Sequence, residues 1–331
     1  MVLRVAINGF GRIGRTILKA GINQKHLNFV AINDLAPIEN LAYLFKHDTV
    51  YGNYPEEVSV KDGNLIIGRN KLMVIAEKTP KNLPWKELKI DLVIESTGIF
   101  RTYEQAEAHL QAGAKKVIIS APAKGKTPVK TIVPGVNHKT IDPKTDNILS
   151  NASCTTNCLA PLVKVLEDSF GIESGFMTTV HGYTAGQALV DAPNKDLRRG
   201  RAAAMNTVPT TTGAASAIGL VIPSLNGKLD GIAIRVPIVD GSLVDLTVQL
   251  KKPADVEKIN QTFKQAANSY LKGTLEYSEE EIVSSDVVGN PFGCIFDSKF
   301  TKVQGTTVKV LGWYDNEYGY CSQLIKLTKF L

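Results

Sequence analysis

The pattern that most restricts the fold lies in residues 2 to 34. Val2 to Asn8 reads V-L-R-V-A-I-N, an apolar run of strand length. G-F-G-R-I-G follows at Gly9 to Gly14, a helical pattern runs from Arg12 to Ala20, and a second β-rich run, Phe29 to Asn33, ends at Asp34. A bare G-x-G-x-x-G recurs by chance. A preceding strand, a following helix and an acid 20 residues beyond Gly14 supply the context of a dinucleotide-binding fingerprint. Gly9 permits the tight turn, Gly11 lets the backbone approach a pyrophosphate, and Gly14 allows close helix–strand packing. The helix start then offers N–H groups and partial positive charge to phosphates. Asp34 accepts hydrogen bonds from ribose hydroxyls and repels a 2′-phosphate, so the cofactor read here is NAD rather than NADP.

Further strand-like runs occur at Leu65–Ile67, Leu72–Ala76, Asp91–Ile94 and Val117–Ile119. Helical patterns cover Pro37 to about Asp48, and Thr102 to Ala112, where Gly113 stops the helix. Such alternation predicts a doubly wound, Rossmann-type α/β domain with a mainly parallel sheet over residues 1–150. After Cys154 the strands become longer and more β-branched, at Met177–Val180, Gly231–Val239, Leu243–Leu250 and Thr307–Trp313, with helical patterns at Ala214–Ile222 and Ala254–Leu271. Residues 151–316 therefore read as an α+β domain with a mainly antiparallel sheet. The amphipathic segment 317–331 is expected to return to the first domain. Residues 185–206 show little periodicity and crowd Arg198, Arg199 and Arg201 together.

A length of 331 residues suits two domains. A net charge of +6 without a dense Lys/Arg run excludes nucleic acid as a primary ligand. No stretch reaches the ~18 apolar residues of a membrane helix. Four cysteines are too few for a disulfide scaffold, and the spacing of Cys154 and Cys158 is not a metal signature. These features read as a reducing, cytoplasmic setting with no metal.

Asn151 to Pro161 reads N-A-S-C-T-T-N-C-L-A-P and sets Cys154 at the mouth of an apolar helical pattern. A cysteine at a helix N-terminus gains thiolate character. Pro161 by propensity starts the helix near Ala160 or kinks it, so spacing alone leaves Cys154 balanced between a nucleophile and an inert buried thiol. Of the histidines, His181 ends a β-branched run, whereas His26, His47, His109 and His138 read as surface residues.

Three motifs in order, N-G-F-G-R-I-G-R, A-S-C-T-T-N-C-L-A-P at Ala152 to Pro161 and W-Y-D-N-E-Y-G-Y at Trp313 to Tyr320, resemble the phosphorylating glyceraldehyde-3-phosphate dehydrogenase family over nearly the whole chain. The resemblance implies a catalytic helix starting at Cys154 despite Pro161, Cys154 as nucleophile and His181 as base. It implies glyceraldehyde 3-phosphate and inorganic phosphate as substrates, and a thiohemiacetal and thioester on the way to 1,3-bisphosphoglycerate, a step of glycolysis and gluconeogenesis. Thr184, Arg199 and Arg235 then resemble ligands of the substrate phosphate, and Ser153, Thr155, Thr212 and Gly213 the site of the attacking phosphate. Arg12 and Ile13 resemble the pyrophosphate contacts, Asn316 the partner of the nicotinamide amide, and Lys78 and Ser120 further cofactor positions. The family also implies a homotetramer.

The chain departs from the family's pattern in places. Ala192–Pro193 stands where a Leu–Pro pair helps to exclude NADP, while the bulk of Leu35 after Asp34 is typical of NAD users; NAD preference with weaker NADP use is the result. T-A-G-Q-A at Thr184–Ala188, V-D-G-S-L-V-D-L at Val239–Leu246 and Lys78 in place of Arg are further departures. Two rival readings are an erythrose-4-phosphate dehydrogenase and a non-catalytic NAD-binding regulator. The R-V-P at Arg235–Pro237 and T-T-T-G at Thr210–Gly213 weigh against the first, and the intact Cys154 and His181 against the second. Cys154 and Cys158, four apart on a helix, also lie roughly 6 Å apart at Cα, within reach of a reversible disulfide.

Overall fold

The first apolar run forms the strand Leu3–Asn8, fifth in a nine-stranded sheet. The order across it is Lys130–Thr131, Ile148–Ser150, Lys116–Ile119, Leu92–Glu95, Leu3–Asn8, Leu27–Asn33, Asn70–Ile75, Asn64–Ile67 and Val58–Lys61. Pairing is parallel as far as Asn70–Ile75 and antiparallel at the last two strands. Leu3–Asn8 has the next strand in sequence on one side and Leu92–Glu95 on the other. Its carboxyl end is thus a topological switch point, where open α/β sheets bind ligands. Trp85, Val93, Ala106, Val117 and Ile119 belong to the core beside it.

The computed structural model describes residues 2–331 and divides them into two compact units: residues 2–132 with Lys139–Ala152 and Leu324–Leu331, and Val133–His138 with Ser153–Gln323. In the first unit the helix Arg12–Gly21 follows the glycine turn, and the helix Tyr103–Gln111 is capped by Thr102 and Gln105 in a reciprocal capping box. The late segment Leu324–Leu331 packs where Gly21 leaves room: a Cβ there would stand 2.7 Å from Ile325 Cδ1 and 2.8 Å from Phe29 Cζ. His26 Nε2 also meets Thr328 Oγ1 at 2.9 Å.

The second unit is built on a seven-stranded sheet, in the order Val208–Thr211, Leu229–Val236, Ile172–Gly182, Ser242–Leu250, Thr307–Tyr314, Cys294–Gln304 and Leu275–Ser278. Every pairing is antiparallel except Ile172–Gly182 with Leu229–Val236 and Leu275–Ser278 with Cys294–Gln304. Burial alternates along Ser242–Leu250, as a sheet with one covered face requires. The helices Cys154–Phe170, Ala214–Val221 and Val256–Asn268 pack on this sheet. On the other face Phe176 and Ile232 stand 71% and 49% exposed.

The strands Val208–Thr211 and Cys294–Gln304 do not stand out in the sequence. Val208–Thr211 is short and contains a proline, and Cys294–Gln304 turns polar after Phe296, with its register broken between Asp297 and Lys302. Among the described residues no helix is long and apolar enough to cross a membrane.

Candidate active site

At the switch point the glycines do what their spacing predicts. Gly9 has φ +92°, and a Cβ there would meet Thr97 N at 2.6 Å; a Cβ on Gly14 would lie 2.1 Å from Gly9 O. A Cβ on Gly11 would meet nothing within 4 Å, so that face of the loop is open to a close backbone approach. The helix Arg12–Gly21 has no side-chain cap and no acid in its first turn, leaving its N-terminal end electropositive. These features fit a dinucleotide pyrophosphate. Asp34 Oδ2 accepts from Phe10 N–H at 2.7 Å and Oδ1 from Ala36 N–H at 3.0 Å, so the acid is braced against the glycine loop. Each oxygen keeps a second lone pair for a ribose hydroxyl. Arg12 and Lys19 meet the two oxygens of Asp48 at 2.9 Å each. Although burial works to raise it, those hydrogen bonds hold the Asp48 carboxyl well below its ordinary value. Ile13 follows Arg12 in the first helical turn. Lys78 is exposed, and Ser120 N–H donates to Glu95 O at the end of its strand.

Beneath that loop lies a network the sequence does not reveal. Glu95 and His109 are buried, with His109 Nε2 3.1 Å from Glu95 Oε2. Trp85 Nε1–H donates to His109 Nδ1, Asn8 Nδ2 donates to Glu95 Oε2, and Thr97 N–H and O–H both donate to Glu95 Oε1. His109 is therefore not a surface residue. Its helix turns it inward, onto a carboxylate and an indole that satisfy both ring nitrogens.

The helix Cys154–Phe170 begins at Cys154. The chain turns at Ala152, φ +57°, and Ser153 caps the helix by accepting from Thr156 N–H at 3.0 Å. Pro161 stays inside this helix. Twelve of its residues are buried, so packing overrides a propensity that alone would start it later. Cys154 Sγ lies 3.4 Å from His181 Nε2. His181 is the penultimate residue of the strand Ile172–Gly182, in parallel register with Arg235. Its Nδ1 is 2.7 Å from Gly182 O and 2.6 Å from Arg235 Nη1, which also donates to Gly182 O at 3.0 Å.

The electrostatics correct the thiolate expectation. Burial raises the Cys154 thiol above its usual value and outweighs the Arg235 charge and the Thr155 hydrogen bonds, which pull it down. Burial, with Arg235 second, pushes His181 down to about 3, so the pair is thiol and neutral imidazole in this arrangement. Below it the Tyr314 hydroxyl meets Thr155 Oγ1 at 2.9 Å and Thr179 Oγ1 at 2.7 Å, and the Tyr314 ring meets His181 edge-on at 5.8 Å. Thr155 is thus buried, with its hydroxyl on Tyr314. All four cysteines are free thiols. Cys158 is buried and donates to Gly312 O at 3.4 Å.

Two guanidiniums share this region: burial lowers the Arg235 pKa, and the charge of Arg199 works in the same direction. Arg235 Nε is buried with no hydrogen-bond partner. Arg199 is anchored by Nε to Thr210 Oγ1 at 2.9 Å and by Nη2 to Thr211 O at 3.1 Å. The loop 185–206 is ordered by its own bonds, among them Ala188 N–H to Arg199 O and Ala192 N–H to Gly200 O. Arg199 is therefore a positioned cation rather than a solvated one. Thr184 is exposed; Thr212 Oγ1 accepts from Ala214 N–H, and Gly213 precedes the helix Ala214–Val221. Asn316 is buried; its Oδ1 accepts from Ser242 Oγ at 2.6 Å, which directs Nδ2 to act as a donor.

Two family models match the chain: glyceraldehyde 3-phosphate dehydrogenase, NAD binding domain, at residues 3–103, and glyceraldehyde 3-phosphate dehydrogenase, C-terminal domain, at 153–316. The glyceraldehyde-3-phosphate dehydrogenase of Mycoplasma pneumoniae is 58% identical over 99% of this chain and 97% of its own length. That of Geobacillus stearothermophilus is 51% identical over 100% and 98%. Glyceraldehyde-3-phosphate dehydrogenase 1 of Streptomyces avermitilis is 52% identical over 99% and 98%.

Proposed function

The chain belongs to the glyceraldehyde-3-phosphate dehydrogenase family, and we infer that it is an NAD-dependent oxidoreductase converting glyceraldehyde 3-phosphate and inorganic phosphate to 1,3-bisphosphoglycerate. The observation that carries this reading is Cys154 Sγ at 3.4 Å from His181 Nε2, at a capped helix start with Arg235 alongside. The thiol gives its proton to His181 and adds to the aldehyde carbon, and the backbone N–H groups of the helix start stabilise the new oxyanion. The imidazolium hands that proton to the oxyanion, giving the hemithioacetal hydroxyl, and His181 takes it back as hydride departs, leaving a thioester on Cys154. NAD, when bound, supplies the hydride acceptor. Phosphate oxygen then attacks the thioester, the C–S bond breaks, and Cys154 leaves as thiolate. The net change is aldehyde, phosphate and NAD to acyl phosphate, NADH and a proton.

Arg199, Arg235 and Thr184 are assigned to the substrate phosphate, and Ser153, Thr155, Thr212 and Gly213 to the attacking one. Two guanidiniums and an unpartnered buried Nε support the first set, since a fork of N–H donors suits a dianion. Gly9, Gly11, Arg12, Ile13, Gly14, Asp34, Lys78 and Ser120 are assigned to NAD, and Asn316 to the nicotinamide amide. The division at 150, with 317–331 returning to the cofactor domain, belongs to the same reading. So do a cytoplasmic setting, supported by four free thiols, and a homotetramer, supported by the exposed Phe176 and Ile232 on the uncovered sheet face. The two rival readings, an erythrose-4-phosphate substrate and an idle NAD-binding role, are not favoured.

The test follows NADH formation from glyceraldehyde 3-phosphate with and without inorganic phosphate. Sustained, phosphate-dependent turnover is expected, with a lower kcat/KM when NADP replaces NAD. A single burst of NADH would leave the thioester but refute the attacking-phosphate assignment, and no NADH would refute the substrate.

A further inference from the structure

The buried network under the glycine turn runs in one direction at every step. An indole N–H can only donate, so Trp85 makes His109 Nδ1 the acceptor. The ring proton then sits on Nε2 and is donated to Glu95 Oε2. From the other side Glu77 N–H donates to Asn33 Oδ1 at 2.8 Å, and Asn33 Nδ2 donates to Asn8 Oδ1 at 2.7 Å. Asn8 Nδ2 in turn donates to Glu95 Oε2 at 2.6 Å. Glu95 Oε1 receives both the N–H and the O–H of Thr97. Both arms therefore end on one buried carboxylate, which accepts from every partner and donates to none. Neither arm can turn round. Trp85 fixes the imidazole, and the main chain of Glu77 fixes both ends of the Asn33 amide.

What this carboxylate holds is the glycine turn. Asn8 precedes Gly9 in sequence, and Thr97 lies against it in space, where its nitrogen leaves no room for a Cβ on Gly9. Ser96, between Glu95 and Thr97, places its hydroxyl 2.7 Å from Gly9 O, and Gly9 N–H donates to Asn33 O at 2.8 Å. We propose that Glu95 is a positioning residue for the cofactor: by holding Asn8 and Thr97 it sets the backbone of Gly9 to Gly11 where a pyrophosphate meets it. The inference rests on the reading above, in which this turn binds NAD. Asp34 braces the same turn through Phe10 N–H and also faces the ribose, whereas Glu95 lies below the turn and acts only through it. Glu95→Gln probes this role without changing shape. The amide has one acceptor oxygen and an NH2 group, and that NH2 must face two donors whichever way it is placed. Toward Asn8 and His109 it meets arms locked at their far ends. It therefore turns to Thr97 and releases that segment from the turn.

The test compares ADP-ribose, which carries the pyrophosphate and is titrated by calorimetry, with adenosine, which carries none and is measured by competition against it. In Glu95→Gln, ADP-ribose should bind about tenfold more weakly, the scale of one lost charge-assisted hydrogen bond, while adenosine changes by less than about twofold. KM for NAD should rise by a similar factor with kcat unchanged, because Cys154 and His181 keep their places. Equal losses for both ligands would mean a merely structural role, and an unchanged ADP-ribose affinity would mean none; either result overturns the proposal. Thr97→Val, at a half-buried position, is a second variant that leaves the buried carboxylate in place and removes one donor to Oε1. It should weaken ADP-ribose with the same selectivity and by a smaller factor, and a loss shared by adenosine counts against the proposal. A parent chain that binds neither ADP-ribose nor NAD refutes the NAD reading itself. A parent that binds both, matched by its Glu95→Gln variant, refutes only the role of Glu95.

Discussion

Burying an imidazole that stays neutral has a thermodynamic signature. In the unfolded chain His181 titrates near 6.5, whereas in the fold burial and Arg235 push it down to about 3. The unfolded state therefore binds the extra proton first, and the stability held above pH 6.5 is lost as pH falls toward 3. His181→Asn should lose stability less steeply over that window, checked by urea midpoints near neutrality and again below the histidine range; parallel slopes would contradict the assignment. Such a shift is not legible in a sequence. The identity of Cys154 and His181 is, since their motifs sit intact in order, but their 3.4 Å separation depends on strand register 27 residues apart. The thiolate expectation failed for the same reason: a helix start is visible in the residues, whereas desolvation depends on what the fold packs around them. His109 misled likewise, because neither Glu95 nor Trp85 is near it in sequence.

Elements were legible where local chemistry and packing agree. The glycine turn, the helix Arg12–Gly21 and Asp34 were read to within a residue because each glycine answers a local steric demand. Gly14→Ala would place a methyl 2.1 Å from Gly9 O, so helix and strand must separate at the switch point. The variant should melt earlier and lose the thermal shift that NAD gives the parent chain, as thermal denaturation with and without NAD will show; an intact NAD shift would refute that role. The strand Cys294–Gln304 was missed because its pairing partners, not its alternation, define it. The helix Cys154–Phe170 begins earlier than propensity alone would place it, held by the Ser153 cap and its buried surroundings.

For the whole molecule, the uncovered sheet face of the second unit carries the prediction. Phe176 and Ile232 project from neighbouring strands on that face, where Thr178 pairs with Ile232. Phe176→Asp should shift the particle to a smaller mass by light scattering while leaving far-UV circular dichroism unchanged, and an unchanged mass would remove this face from the assembly. Length indicates two domains but cannot say which sheet face stays open, because that depends on which elements the fold packs against it. The segment Leu324–Leu331 has a consequence for synthesis. It completes the packing around Gly21 and His26, yet it leaves the ribosome roughly 170 residues after the rest of its unit. At about 5–20 residues per second the first unit waits about 9–34 s for its last piece, while the second emerges. Translation is thus vectorial but completion of the first unit is not, and a nascent chain stalled before Leu324 holds an unfinished nucleotide unit open to chaperones.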